Sequence, residues 1–303
     1  MDRPSVSVVT PNYNHARFLA TSIESVLAQS RPPDEYIILD DASSDSSIEV
    51  IESYANNNSA MVVTMPKTNQ GMISTLNELL EMARGDYIMS LAADDYMLPG
   101  FLERSMDMLT MHPEAGFCST LSLMVDEAGR KLGLFPSPIP SFRPVFIDAN
   151  RARRVLCRYG AWFLGNTTVF RRQALLNAGG FRSELLSFTD GFISHVLALK
   201  HGACFIPDPL GAWRQMEGGE SGLTTRDDDR ATEVITKAVE LMTTSPEYSH
   251  LFPRQYVRNW LTRRLYWAGD AALTDLGKAH ARLSQTLDGR HVRPNLIDRI
   301  LNT

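Results

Sequence analysis

The sequence predicts an α/β fold: a mixed but mainly parallel sheet flanked by helices, followed by a helical appendage at the carboxyl end. Three observations carry that prediction. Between Ser5 and Pro99, short apolar runs alternate with segments whose apolar residues recur at helical spacing, and the links are short. That alternation means right-handed βαβ units and a parallel sheet. Three of the runs end in polar or acidic residues, at Pro11-Asn12-Tyr13-Asn14, Asp40-Asp41 and Asp94-Asp95, and the carboxyl edge of such a sheet is where ligands bind. From Arg226 onward the pattern is amphipathic and helical. At 303 residues the chain can bury one large α/β domain with an appendage.

Taken in order, Ser5 to Thr10 is a strand broken by Pro11, and Asn14 is placed to cap a helix carrying Phe18, Leu19, Ile23, Val26 and Leu27. Arg31-Pro32-Pro33 ends that unit, and Glu35 to Leu39 is the next strand. Ser46 and Glu49 have capping-box spacing ahead of a short helix. Met61 to Met65 is a third strand. Asn69-Gln70-Gly71 turns into a helix with Ile73, Leu76, Leu79, Leu80 and Ala83 on one face, ended by Gly85. Tyr87 to Ala92 is a buried strand that runs into Asp94 and Asp95, and Pro99 suits the first turn of a new helix reaching about His112. Beyond it the alternation weakens. Gly116 to Val125 reads as a longer strand in a hairpin with Lys131 to Phe135, and Pro136 to Pro144 as an irregular, plausibly mobile loop. Arg151 to Tyr159 is a basic helix and Trp162 to Arg171 a strand. Thr189-Asp190 opens a helix burying Phe192, Ile193, Val196, Leu197 and Leu199, with His195 as a core residue; Gly202 stops it. Phe205 to Pro209, Trp213-Arg214 and a linker-like run at Gly218 to Gly222 follow.

Composition narrows the function. A net charge of -5 carries no polyanion-binding signature, so no nucleic-acid partner is expected. The three cysteines, Cys118, Cys157 and Cys204, are odd in number and lack metal-type spacing, which points to buried thiols in a reducing compartment. The start, Met-Asp-Arg-Pro-Ser, has no signal-peptide apolar run, and no uncharged apolar run is long enough for a bilayer. The expectation is a cytoplasmic protein, or one held at the inner face of a membrane by something other than a spanning segment. Paired carboxylates at a strand end suit a hard divalent cation carrying phosphate oxygens, although Asp94 and Asp95 could equally make a turn and cap the helix from Pro99.

The order Thr10-Pro-x-Tyr-Asn14, Asp40-Asp-x-Ser-x-Asp45, Asn69-Gln-Gly71, Gly85-Asp-Tyr87, Ala93-Asp-Asp95, Gly179-Gly-Phe181, Thr189-Asp190 and Trp213-Arg214 strongly resembles family 2 glycosyltransferases of the Rossmann-like GT-A fold. The resemblance reaches to about Ser221 and rests on many weak motifs in one order. It implies a GT-A domain over residues 1–222, with a nucleotide-binding half (1–98) and an acceptor-side half (99–222), and a helical appendage over 223–303. The activity it implies is transfer of a sugar from a nucleotide-diphosphate donor, a UDP-sugar first, to the hydroxyl of a glycan or lipid-linked acceptor. The anomeric carbon is inverted, and Mn2+ or Mg2+ assists.

By the same resemblance, Thr10, Pro11, Tyr13, Asp40, Asp41, Asn69, Gly71, Asp94 and Arg214 contact the nucleotide sugar. Tyr13 would stack on the base, Asp41 would accept a base N–H, Asp40 and Asp94 would serve ribose, and Arg214 would steady the diphosphate. Asp95 is the implied metal ligand and Asp190 the implied general base; an Asp at that position is also a routine helix N-cap. This sequence departs from the family at Ala92, where the first acid of Asp-x-Asp usually stands, and at Leu76, Thr189 and Met216 in place of arginine, glutamate and histidine. Two further readings stand beside this one: a nucleotide-sugar-binding protein with impaired catalysis, and a nucleotidyltransferase. The latter wants a glycine-rich basic loop where this chain has Pro11-Asn-Tyr-Asn-His15. In the appendage, Phe252 to Trp267 is basic and aromatic, with Val257, Trp260, Leu261, Arg264 and Leu265 near one face. That face suits peripheral membrane contact, or packing on the catalytic domain or in a homodimer, with the arginines solvated or paired to acids such as Asp227 to Asp229.

Overall fold

The computed structural model describes residues 3–56, 58–216 and 228–268. The chain divides into two compact units, residues 1–183 with 189–216, and residues 184–188 with 217–303. The linker-like run at 218–222, Asp227 and everything beyond Ala268 lie outside the described residues.

The first unit begins with the expected alternation: β1 (Val6–Asn12), α1 (Ala16–Leu27), β2 (Glu35–Asp40), α2 (Ser47–Ala55), β3 (Met61–Thr64), α3 (Met72–Met82) and β4 (Tyr87–Ser90). These four strands lie side by side in the order β3-β2-β1-β4, all parallel. Their inward residues are aliphatic and buried, among them Val6, Val8, Ile38 and Met89, packed against Leu19, Ile23 and Val26 of α1.

β1 does not stop before Pro11 but continues to Asn12 beside Asp40. Val9 O accepts from Leu91 N on the β4 side, and Asn12 O accepts from Asp41 N on the β2 side. Alternation therefore turns the missing N–H of Pro11 toward β4, whose pairing with β1 has already ended at Ser90.

The second half extends the sheet with short β5 (Tyr96–Met97), α4 (Phe101–Met111), β6 (Phe117–Val125), β7 (Lys131–Leu134), β8 (Val145–Ile147), α5 (Ala149–Tyr159), β9 (Thr168–Arg171), α6 (Arg172–Asn177), α7 (Thr189–His201) and β10 (Ala203–Arg214). The sheet continues β4-β9-β6-β10-β5, with β9 antiparallel to both β4 and β6, and β10 parallel to β6. The predicted hairpin of β6 and β7 is present.

Four further expectations are corrected here. The strand expected over 162–171 is confined to β9, because Trp162 and Phe163 are core residues and Gly165–Thr167 is a 3₁₀ turn. The two segments at 205–214 are one strand with irregular register around Pro209. The helix expected from Pro99 starts at Phe101, behind a left-handed Gly100. Asn14 does not cap α1, since its φ of 57° turns its side chain toward the neighbouring loop. α7 is buried nearly all round, His195 included, because it packs against β6, α5 and α6.

The second unit contains α8 (Asp228–Thr244) and α9 (Arg254–Ala268), packed on one another. Val257, Trp260 and Leu261 are 3 %, 7 % and 8 % exposed, and Trp260 lies against Phe188 at 5.3 Å between ring centroids. The apolar face that membrane contact would need exposed is therefore covered at these residues. Among the described residues no helix is long and apolar enough to cross a membrane.

Candidate functional site

The carboxyl ends of β1, β2 and β4 bring three loops together. The first two are laced by side chains. Asn12 Nδ2 donates to Asp40 Oδ2 at 2.6 Å, and Asp40 accepts both the amide and the hydroxyl of Ser43. Asn14 Oδ1 accepts from the amides of Ser44 and Asp45, while Asp45 Oδ2 accepts from Ala16 N at the head of α1. The cap expected of Asn14 is thus supplied across the loops by Asp45, whose carboxyl is held below its usual range by hydrogen bonds from Ser47 and Ala16. Asp45 Oδ1 also takes Ser47 N at the start of α2, in place of the capping box expected from Ser46.

Asp41 is 2 % exposed and spans to the third parallel unit, one oxygen accepting from Gln70 N and the other from Gly71 N, each at 2.9 Å. Gly71, at φ 87°, is the residue from which α3 departs. Asn69 stands exposed on this turn, and Tyr13 is 47 % exposed at the tip of the first loop. Thr10 is fully buried, with its hydroxyl 3.2 Å from that of Tyr36. Its contribution at this edge is to the packing beneath it.

At the end of β4, Asp94 is half-buried and Asp95 is 3 % exposed. Neither caps α4, which has no side-chain cap. Asp95 Oδ1 accepts from Arg214 N at 2.8 Å, fastening the acidic loop to the end of β10. Burial and the neighbouring Asp94 charge push the Asp95 carboxyl well above the usual carboxylate range, and hydrogen bonds from Arg214 N and the Asn166 side chain pull it back. The Arg214 guanidinium donates to the carbonyls of Asp94, Asp126 and Glu127, and sits 4.7 Å from the Phe18 ring centroid. Among the described residues it makes no salt bridge. Beside it opens a cleft of about 350 Å³ lined by Arg17, Phe18, Thr21, Tyr96 and Glu127. A depression of about 380 Å³ in the second unit, lined by Glu184, Lys237 and Glu240, meets none of the strand-end loops.

Asp190 lies in the first turn of α7, half-buried, against the α-carbon of Gly165. A methyl group on Gly165 would lie 2.9 Å from Asp190 Cγ and 3.1 Å from its Cβ. The next residue, Asn166, directs its Nδ2 to Ser122 Oγ at 3.5 Å and lies close enough to Asp95 to help draw that carboxyl down. Thr167 then anchors the turn by donating to Thr120 O at 3.1 Å, and Gly211 of β10 gives it room. One 3₁₀ turn thus touches the acid of the β4 loop and the acid of α7. Gly165 and Asn166 were not singled out from the sequence; the only signal was a turn-type Gly-Asn pair ahead of a β-rich run.

The chemistry of this donor set fits a divalent cation. Two adjacent carboxylates, one buried and resisting ionisation, make no salt bridge among the described residues; the nearby Arg214 charge helps draw Asp95 down, but its donors go to carbonyls. Among the described residues no three His, Cys, Asp or Glu side chains converge on one point, so remaining ligands would be phosphate oxygens and water, as is usual for Mg2+-type sites.

EpsE of Bacillus subtilis (strain 168) is 34% identical over 183 residues, covering 59% of this chain and 61% of EpsE. TuaG, a teichuronic acid biosynthesis protein of the same organism, is 32% identical over 133 residues, or 44% of this chain and 52% of TuaG. The chain thus spans between half and two thirds of the length of these relatives. Among solved structures, S. aureus TarS in complex with UDP-GlcNAc superposes with a TM-score of 0.69 at 20% identity, covering 86% of this chain and 73% of TarS. The mannosyltransferase PcManGT of Pyrobaculum calidifontis, in complex with GDP-Man and Mn2+, superposes at 0.59 and 20% identity, covering 93% and 81%. These likenesses show the GT-A fold. The family model for glycosyl transferase family 2 matches residues 7–172, the stretch that supplies the three strand-end loops and the Gly165-Asn166 turn, and the chain belongs to that family.

Proposed function

We propose that this chain transfers a sugar from a nucleotide-diphosphate donor, a UDP-sugar first, to an acceptor hydroxyl with inversion at the anomeric carbon. The observation that carries the reading is the shared turn: Gly165 abuts Asp190, and its neighbour Asn166 lies beside Asp95. A base for the acceptor and an acid pair for the donor's phosphates are thereby tied to one short, anchored segment.

In this reading Tyr13 offers a ring to the base, and the Asp41-held Gln70-Gly71 turn walls the nucleoside. Asp95, with Asp94, would hold Mn2+ or Mg2+. When bound, such a cation offsets the charge that builds on the departing diphosphate. Arg214 orders the acidic loop and the β6–β7 turn through its three carbonyl contacts, a positioning role narrower than the direct diphosphate contact expected from the sequence. Asp190 accepts the acceptor's hydroxyl proton as that oxygen bonds to the anomeric carbon and the bond to the diphosphate oxygen breaks. A positioned base of this kind contributes about 10²–10⁴-fold.

A thermal-shift screen of nucleotide sugars with and without Mn2+ identifies the donor, and the anomeric configuration of the product tests inversion. A donor that binds but is neither transferred nor hydrolysed would favour the impaired nucleotide-sugar-binding protein. The nucleotidyltransferase reading has no support in the loop after β1, which is laced by Asn12 and Asn14 rather than built from glycine.

A further inference from the structure

The first unit carries a surface that the chemistry at the sheet edge does not use. Pro136 to Pro144 has no regular structure, and α5 follows it through β8. Between Ile139 and Tyr159 there are five arginines and one aspartate, a local charge of +4 in a chain of net charge -5. The single acid, Asp148, is committed to capping α5, where it accepts from the amides of Asn150 and Arg151. Arg151, Arg154 and Arg158 fall at i, i+3 and i+7, one stripe of the helix, while Ala152 and Leu156 face the core. Arg143, Arg154 and Arg158 are exposed and form no ion pair with a described carboxylate.

The same surface is apolar in an unusual way. Phe142 is 88 % exposed, Tyr159 56 % and Ile139 43 %. They belong with the arginine stripe, because Arg151 Nη2 donates to Pro140 O and so holds the loop beside the helix. The Arg158 guanidinium lies 5.2 Å from the Tyr159 ring centroid.

We infer that this loop-and-helix surface docks the protein on an anionic lipid bilayer, with Phe142 and Ile139 entering the interface and Arg143, Arg154 and Arg158 meeting the head groups. A solvated basic face would account for the arginines but not for a bare phenylalanine and an exposed isoleucine on the loop that Arg151 holds beside them. A soluble polyanion would satisfy the charges and leave the rings in water, whereas a bilayer interface takes both. Membrane contact thus belongs to the acceptor-side half of the first unit rather than to α9, whose Val257, Trp260 and Leu261 are covered. The inference does not depend on the proposed transfer chemistry.

The test is co-sedimentation of the full chain with vesicles of phosphatidylglycerol and phosphatidylcholine, and with phosphatidylcholine alone, at low and high salt. Binding is expected only with the anionic vesicles and is expected to weaken with salt. Arg154→Gln and Arg158→Gln should each weaken it about fivefold, and Phe142→Ser should reduce it at both salt concentrations. Arg154→Lys should preserve it. All three side chains are exposed, so melting temperatures should match the parent; donor turnover in the absence of vesicles should be unchanged. A protein that stays in the supernatant with anionic vesicles at low salt overturns the inference. So do variants that sediment like the parent, or capture on immobilised polyphosphate without vesicle binding.

Discussion

Gly165→Ala tests the contact on which the site reading rests. Gly165 has no left-handed φ, so alanine brings no backbone strain, and the substitution reports the contact alone. Its methyl carbon would overlap Asp190 Oδ2 most severely and would lie 2.9 Å from Cγ, where carbon atoms normally rest about 3.5–4.0 Å apart, so the carboxylate must retreat by at least about 1 Å. Asp190 is half-buried, so it can swing rather than force the backbone apart, and the melting temperature should move little. A displacement of about 1 Å in a reacting group costs on the order of 10²-fold in rate, or about 2.7 kcal/mol of barrier. The assay is steady-state release of nucleoside diphosphate in the presence of acceptor, with donor affinity measured separately by calorimetry. The expected pattern is a fall in kcat with donor affinity preserved. Turnover at the parent rate would mean that Gly165 does not set the position of the base. A loss of donor affinity equal to the loss in kcat would move the effect to Asn166 and Asp95.

Asp190→Asn keeps the volume of the side chain and removes its basicity, so turnover should fall by about 10²–10⁴-fold with an unchanged melting curve; early melting with normal turnover per folded molecule would return Asp190 to a helix-cap role. Asp95 is raised above its unfolded value by burial and Asp94, so its ionised form is disfavoured by folding. Parent stability without divalent cation should then decline as pH rises from about 4 through the raised folded value. Asp95→Asn should abolish that decline, melting above the parent at neutral pH but not at pH near 4, and should lose the Mn2+-dependent part of donor affinity; identical pH profiles for the two proteins would refute the assignment. Asp41→Ala removes the buried acceptor of two part-buried backbone amides, each such charge-assisted bond contributing about 1.5–3 kcal/mol. It should lower the melting temperature and weaken donor binding with or without metal, and a loss confined to the metal-dependent part would count against it.

Much of this protein is local in origin and therefore legible in the residue order. The Val6–Asn12 and Glu35–Asp40 strands and the helices between them announce themselves through periodicity, because a strand or helix buries one set of side chains at a fixed spacing. Asp40, Asp41, Asp94 and Asp95 could be placed at a common edge on that basis alone, since parallel strands joined by right-handed crossovers bring their carboxyl ends to one side. What each carboxylate does there could not be read. Asp41 holds the Gln70-Gly71 amides, and the Asn14–Asp45 exchange replaces the expected helix cap. Both depend on which loops become neighbours, not on the spacing within either.

The second half of the sheet is where sequence patterning failed, and the reason is pairing. Strand β9 joins β4 to β6 by running antiparallel to both, and nothing within Thr168–Arg171 records which strands will flank it. The buried Trp162 and Phe163 before it mimic a strand because both core loops and strands are apolar. The Gly165-Asn166 turn shares that origin: Gly165 is the room Asp190 needs, and Asn166 is the amide beside Asp95. The sequence by itself determined the alternating core, the acidic strand ends and the family, because each is a property of short segments. Only the tertiary structure decided that one turn reaches both acids, because that contact is made by pairing between distant segments, and that Arg151 ties the Pro140 loop to α5.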